Sequence, residues 1–252
     1  MKVLEVINLH KDFGGIKAVS GCDFSVDKSK ITALIGPNGA GKTTVFNIIT
    51  GYIKQDKGEI LLEGDDITHL PPYLRAKRGI ARTFQLLRLL PNMTVMENML
   101  ISMKHAEDDI FSSLFKRSHL KNLEKNLESR ALEILKFVNL NSKANELAGN
   151  LSYGQQKLLE IARVIVQEPE IIMLDEPASG VNPTMLKKIS GLLLELKKQG
   201  KTILFIEHDM DFVMDIADKI VVMDYGEEIA IGTPREIQKN KKVIDAYLGV
   251  TE

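Results

Sequence analysis

The sequence has a single cysteine, no excess of either charge and no long apolar run, and each scarcity closes off a class of protein. With Cys22 alone among 252 residues, no internal disulfide framework can form. That suits a reducing compartment, and Cys22 reads as a buried spectator thiol, as free cysteines usually do. Lys and Arg number 33 against 34 Asp and Glu, for a formal net charge of -1, so bulk charge offers no basic surface to nucleic acid. No stretch reaches the ~18 consecutive apolar residues that span a bilayer. The opening MKVLEVINLHKDF is broken by Glu5, His10, Lys11 and Asp12, unlike the apolar run of a secretory signal. The expectation is a cytoplasmic chain, soluble when isolated, that works at a membrane only by docking on a partner.

What is present is ordinary globular material, 44% hydrophobic and 27% charged, enough for one large core or a core with a satellite domain. Val3 to Ile7 reads as a half-exposed antiparallel strand, followed by strands at Phe24 to Val26 and Ile31 to Ile35. A helix is expected over Thr44 to Ile49 and a further strand over Gly58 to Leu62, with turns at Lys57-Gly58 and Gly64-Asp65. From about Asn92 to Val166 the pattern is helical. Leu120, Leu123, Leu127, Ala131, Ile134 and Leu135 recur at helical spacing, with Lys121, Glu124, Lys125, Glu128 and Arg130 as a solvated face. The chain then returns to α/β: Ile171 to Leu174 and Ile203 to Ile206 are dense apolar runs of the buried parallel type, joined by a helix over Met185 to Lys198. The sequence shows neither an internal repeat nor a low-complexity tract.

Chemistry enters at Gly36-Pro37-Asn38-Gly39-Ala40-Gly41-Lys42-Thr43, which fits G-x-x-x-x-G-K-[ST] between a predicted strand and a predicted helix. Glycines there let backbone N–H groups wrap phosphates, Lys42 adds charge at the β- and γ-phosphates, and the Thr43 hydroxyl can ligate Mg²⁺. ATP contacts are expected from Gly36, Pro37, Asn38, Gly39, Ala40, Gly41, Lys42 and Thr43, and from the adjoining Thr44. Farther on, the apolar run Ile171 to Leu174 ends in Asp175 and Glu176, beyond the carboxyl end of a strand, where α/β proteins hold ligands. Asp175 is expected to hold Mg²⁺ through water, and Glu176 to act as general base toward attacking water. Leu151-Ser152-Tyr153-Gly154-Gln155-Gln156 opens a second helix start, and helix starts favour anions.

These elements, with Ile206-Glu207-His208-Asp209, resemble the ATP-binding subunits of ABC transporters over essentially the whole chain. The resemblance implies a P-loop NTPase (RecA-like) α/β core with an antiparallel β subdomain and an inserted α-helical subdomain. The expected boundaries are 1–85 and 166–232 for the core, 86–165 for the helical insert and 233–252 for a C-terminal helix and tail. It also implies that two ATPase chains sandwich two ATPs, so that Ser152, Tyr153, Gly154 and Gln155 serve the γ-phosphate of the partner's ATP. By the same resemblance, Gln85 contacts Mg²⁺ or the attacking water, and His208 holds the γ-phosphate. Ser179, Gly180, Val181 and Asn182 form the loop crossing the dimer interface, and Phe13 stacks on adenine unless it is an ordinary packed Phe. The chain departs from the family at Tyr153, where Gly is usual, at Asn182, where Asp is usual, and at Phe13, where Tyr is usual. The Tyr153 ring is expected to turn away from the phosphates.

A narrower likeness lies in GGIKAVSGCDFSV, GPNGAGKTTVFNIITGY, GIARTFQLLRLLPNMTVMENML, LSYGQQKLLEIARVI and EEIAIGTPREIQKNKKVIDAYLG. These look like the ATPase of branched-chain (hydrophobic) amino-acid importers, the last of them as a short C-terminal helix. That implies a second, non-identical ATPase subunit in the cell, with a homodimer possible in isolation. It also implies two integral membrane permease subunits, an external solute-binding protein, ATP and Mg²⁺ as cofactors, and a place at the cytoplasmic face of the membrane. Permease contact is expected between Gln85 and about Met103, where Leu86, Leu87, Leu89, Leu90 and Met93 are either core or docking groove. Other ABC systems, for lipid export or urea uptake, differ only by resemblance. ABC ATPases acting on nucleic acid carry long coiled coils that this chain has no room for. A plain P-loop kinase leaves the second helix start and His208 unexplained.

Overall fold

Three apolar runs, Ile31–Ile35, Ile171–Asp175 and Thr202–Ile206, are buried at every position in the computed structural model, as strands covered on both faces must be. The structure describes residues 1–84, 87–103 and 117–248, without the side chains of 117–124 and 248. Its strands are β1 (Lys2–Phe13), β2 (Ile16–Asp27), β3 (Ile31–Ile35), β4 (Lys57–Leu62), β5 (Asp65–Asp66), β6 (Ile80–Arg82), β7 (Ile171–Asp175), β8 (Thr202–Ile206), β9 (Lys219–Asp224) and β10 (Glu227–Gly232). Its helices are α1 (Lys42–Ile49), α2 (Pro72–Lys77), α3 (Val95–Met103), α4 (Arg117–Phe137), α5 (Tyr153–Ile165), α6 (Pro183–Lys198), α7 (Met210–Ile216), α8 (Pro234–Ile237) and α9 (Lys241–Leu248). Two compact units divide the chain: Met1–Arg82, Glu170–Ser179 and Leu186–Glu252 form the first, Thr83–Pro169 and Gly180–Met185 the second.

In the first unit a six-stranded sheet runs in the order β10-β9-β3-β8-β7-β6. Every pair in it is parallel except β10 on β9. Leu34 and Asp175 both pair with Ile206, so β3, β7 and β8 end side by side. The residues that follow them (Gly36, Glu176 and Glu207) therefore leave the sheet along one edge, the place where open α/β sheets bind ligands. The unit's other sheet is antiparallel, in the order β2-β1-β4-β5.

Side chains of both sheets, among them Val6, Ile60, Leu34 and Val221, share one core with Val45, Phe46, Ile48 and Ile49 of α1. Arg75 fixes the far end of that helix. Its guanidinium is 2% exposed and donates to the Ile48 and Ile49 carbonyls at 2.6 and 2.7 Å, satisfying acceptors that a helix end leaves open.

Several local expectations are revised. β1 and β2 run twelve residues each, well past the apolar segments, because Phe13 and Ile16 pair around Gly14-Gly15. Those glycines have φ of 60° and 98°, the two positive values a tight hairpin turn requires. Lys57-Gly58 is not a turn but the start of β4. A Cβ on Gly58 would lie 2.6 Å from the Ile7 carbonyl oxygen and 2.5 Å from that of Asn8, so close strand approach explains the glycine. The C-terminal region holds two short helices, α8 and α9, rather than one. Cys22 is fully buried, and burial pushes its thiol up to about 12.

The second unit contains α3, α4 and α5. Ala131 and Leu135 are buried along α4 and Val138 just past its end, Leu127 and Ile134 are half-buried, and Lys125, Glu128 and Arg130 are exposed. Leu120, Leu123, Lys121 and Glu124 lie outside the described side chains. Asn98, fully buried on α3, accepts from the Leu90 N–H at 2.9 Å and donates to the Leu90 carbonyl at 3.0 Å. Leu87, Leu89 and Met93 are half-buried and Leu90 is 41% exposed, so none of the four belongs to the buried core; Leu86 lies outside the described residues. Among the described residues no helix is long and apolar enough to cross a membrane.

Candidate functional site

The chain leaves β3 at Ile35 and enters α1 at Lys42, and two glycines make the loop between them possible. Gly36 has φ 150° and Gly41 has φ 97°; a Cβ on the first would stand 2.1 Å from the Met223 carbonyl oxygen, and on the second 2.2 Å from that of Ala18. No side chain fits at either position. Gly39, at φ 85°, is the third left-handed residue of the loop, and Pro37, Asn38 and Ala40 complete it. Lys42 curls back: its ammonium donates to the Gly36 and Pro37 carbonyls at 2.7 and 2.8 Å. Burial lowers its pKa, and the Glu176 carboxylate opposes that shift. Thr43 is exposed and Thr44 half-buried in the first turn of α1, which contains no acid. A glycine-shaped loop, a helix start and a buried ammonium make an anion cradle.

Phe13, 46% exposed, stands at the end of the β1–β2 hairpin with the Lys11 ammonium 5.3 Å from its ring centroid. It offers an aromatic face to solvent. Tyr247 on α9, which sequence reasoning did not single out, accepts a hydrogen bond from the Gly36 backbone, while burial takes its phenol up to about 12.

Asp175, the last residue of β7, is 3% exposed. Its Oδ2 meets the Arg82 guanidinium at 2.7 Å, in an ion pair whose side chains are 6% and 4% exposed. Arg82 also donates to Asn47 Oδ1 at 2.7 Å and Thr50 Oγ1 at 3.1 Å, and so ties β7 to α1. Removing one member of a buried pair strands the other. Arg82→Met is therefore expected to lower unfolding stability by about 3 kcal/mol, with partial recovery on adding Asp175→Asn. Urea titration of the three variants checks this, and an unchanged Arg82→Met midpoint would overturn it.

Glu176 follows in a left-handed conformation, φ 49°, rare for a side-chain-bearing residue and found disproportionately at functional sites. Its N–H donates to the Ile206 carbonyl at 3.0 Å. Its Oε1 lies 3.1 Å from His208 Nε2, so the candidate base and the candidate γ-phosphate contact are neighbours. Among the described residues no cluster of three or more His, Cys, Asp or Glu could hold a metal. Mg²⁺ in nucleotide sites takes one or two protein oxygens and completes its shell with phosphate and water. An exposed Thr43 hydroxyl and a carboxylate at Asp175, already engaged by Arg82 and so suited to a water-mediated contact, fit that donor set. Gln85 lies outside the described residues.

In the second unit Ser152 begins α5 with a capping box. Its Oγ accepts from the Gln155 N–H at 3.4 Å, and Gln155 Oε1 accepts from the Ser152 N–H at 3.0 Å. Because that hydroxyl is exposed and here accepts, its own proton remains available to an anion at the helix start. The Tyr153 ring lies along Gly180: a Cβ there, at φ 74°, would sit 3.0 Å from Tyr153 Cε1. Gly154 leaves space for Met185, whose Cε and Cγ would both be 2.8 Å from a Cβ. Asn182 Oδ1 accepts from the Met185 N–H at 2.9 Å and so caps α6, a task Asn performs as well as Asp. Val181 is half-buried beside it, and Ser179, in the first unit, is exposed with its N–H on the Glu176 carbonyl at 3.2 Å.

A parallel sheet, a glycine-shaped phosphate loop after β3 and carboxylates at the end of β7, two strands away, define a P-loop nucleotide-binding protein. Residues 19–179 match the family model for ABC transporters, and residues 227–252 match that for branched-chain amino acid ATP-binding cassette transporters. The chain belongs to the ABC transporter family, as one of its ATP-hydrolysing cassettes. It is 44% identical to the high-affinity branched-chain amino acid transport ATP-binding protein BraF of Pseudomonas aeruginosa, over 98% of each chain. To the protein of the same description, LivG, of Escherichia coli K12 it is 45% identical over 98% of each. The probable branched-chain amino acid transport ATP-binding protein LivG of Archaeoglobus fulgidus is 42% identical over 100% of this chain and 97% of the relative. Among solved structures, a nucleotide-free ATP-binding cassette from an ABC transporter superposes with a TM-score of 0.86 at 39% identity, covering 100% of both chains. The ADP conformation of such a cassette gives 0.86 at 38%, covering 99% of each.

Proposed function

We propose that this chain is the ATPase subunit of an importer for branched-chain or other hydrophobic amino acids, seated at the cytoplasmic face of the membrane. The observation that carries this reading is the near full-length likeness to such subunits, which extends to residues 227–252. In it the loop N–H groups and Lys42 hold the triphosphate, and Phe13 takes the adenine. Thr43, Gln85 and, through water, Asp175 would hold Mg²⁺, which would supply charge neutralisation at the β- and γ-phosphates. Glu176 accepts a proton from water as the water oxygen bonds to the γ-phosphorus and the bond to the β-phosphate oxygen breaks. His208 steadies the γ-phosphate beside it. A second ATPase subunit presents its own helix start, as Ser152, Tyr153, Gly154 and Gln155 do here, to the same phosphate. Ser179 to Asn182 cross that interface.

Closure of the pair moves two integral membrane permeases, which receive solute from an external binding protein. The partly exposed segment around Leu87, Leu89, Leu90 and Met93 is their docking surface. Affinity purification of the tagged chain from its own membranes in mild detergent tests this. The expected companions are two multispanning proteins and a second ATPase, and radiolabelled leucine uptake should fall when the chain is deleted. Recovery of a lipid exporter's permeases, or of soluble partners alone, would overturn the importer reading.

A further inference from the structure

Glu207 sits between the end of β8 and His208, and is only 2% exposed. Its Oε1 accepts from the Ala178 N–H at 2.5 Å and its Oε2 from the His208 N–H at 3.0 Å. The Asp209 N–H is a further donor to the same carboxylate. Ala178 is two residues past Glu176 on the segment leaving β7, while His208 and Asp209 are on the segment leaving β8. One buried side chain thus spans two segments that the sheet brings together only at their roots, through the Asp175–Ile206 pair.

The chemistry of the span is specific. Both oxygens face N–H donors, and an ionised carboxylate is the side chain that accepts at both ends. Gln, of nearly the same shape, would turn an NH₂ toward one of those donors. Burial of the carboxylate raises its pKa, against the N–H donors that lower it, and the nearby Glu176 raises it further. A buried anion answered mainly by backbone dipoles is costly to keep, so packing alone does not account for it.

We propose that Glu207 is a positioning residue for ATP hydrolysis, clamping the Glu176 segment to the His208 segment so that the two side chains stay within 3.1 Å of each other. Its carboxylate accepts from Ala178, His208 and Asp209, all on the segments that leave β7 and β8, and not from the phosphate loop. Its effect therefore falls on the chemical step and not on nucleotide capture. The inference rests on Glu176 and His208 acting together in hydrolysis.

Steady-state ATP hydrolysis by full-length Glu207→Gln, beside wild type and Glu176→Gln, tests it. The expected result is a kcat lower by roughly tenfold with KM for ATP within about twofold, the pattern of a lost transition-state contact. The ¹⁵N shift of His208 Nε2, assigned by its disappearance in His208→Ala, should move in Glu207→Gln because the contact with Glu176 loosens. If Glu207→Gln does not fold, Glu207→Asp, which keeps both acceptors on a stem one methylene shorter, should still lower kcat at unchanged KM. Wild-type kcat in the folded variant would overturn the proposal, as would a fallen kcat with an unmoved His208 shift. Full turnover by Glu176→Gln would instead overturn the hydrolytic reading of the site.

Discussion

Glu176→Gln is expected to cut ATP turnover by about 10³-fold, within the range that a positioned general base contributes, while ATP binding is kept or tightened. Gln matches the shape of Glu176 and can adopt the same left-handed backbone, so the turn after β7 should survive. Its amide can still meet His208 Nε2, now 3.1 Å from Oε1, but cannot take a proton from water. Removing the Glu176 charge, which opposes the lowering of the Lys42 pKa by burial, should lessen repulsion toward a bound triphosphate in the ground state. Bound ATP should therefore persist, and with it the closed pair of subunits. Light scattering with MgATP should show a stable dimer where the wild type shows a transient one. Rapid turnover by a folded Glu176→Gln would remove Glu176 as the base.

Ser152→Arg is expected to abolish both ATP-driven dimerisation and hydrolysis while leaving nucleotide binding by the monomer nearly unchanged. Ser152 is exposed at the start of α5, so a long side chain can be accommodated within one subunit. The lost cap costs about 1 kcal/mol, too little to unfold the domain. The phosphate loop belongs to the other unit, and its glycines and Lys42 are untouched. What changes is the helix start offered to a second subunit: a bulky cation fills the place of a small hydroxyl. Ser152→Ala separates bulk from the lost hydroxyl, since it removes the same cap and phosphate donor without adding a cation, and should weaken dimerisation without abolishing it. Fluorescent-nucleotide titration and size-exclusion chromatography with MgATP read both properties. Loss of monomer binding in folded Ser152→Arg, or an unimpaired dimer, would sink the trans role of this helix.

Much of the site was legible because its signals are local. Gly36 to Thr43 is one contiguous stretch whose residue types state their own purpose, and Asp175-Glu176 follows an apolar run too dense for anything but a covered strand. Ser152 with Gln155 announces a helix start in four residues. The short edges of the fold were harder to read. The β1–β2 hairpin carries His10, Lys11 and Asp12 into regular strand because pairing with β2 and β4, not hydrophobic pattern, holds them. Gly58 reads as a turn residue until the Ile7 and Asn8 carbonyls opposite it are known.

The sequence by itself determined the phosphate loop, the carboxylate pair beyond β7, the capped helix start and the order in which they occur. Each depends on backbone dihedrals and side-chain types within a few residues. Only the tertiary structure decided which group answers each buried charge. Arg82 lies 93 residues from Asp175, and Glu207 lies 29 from Ala178. Nothing in a linear pattern says that Arg75 closes the end of α1, that Tyr153 lies along Gly180, or that Tyr247 on α9 reaches Gly36. A buried polar group must find a partner, but sheet order and register choose which one. The chemistry was therefore written locally, and its alignment was set by chain segments that meet only when β3, β7 and β8 lie side by side.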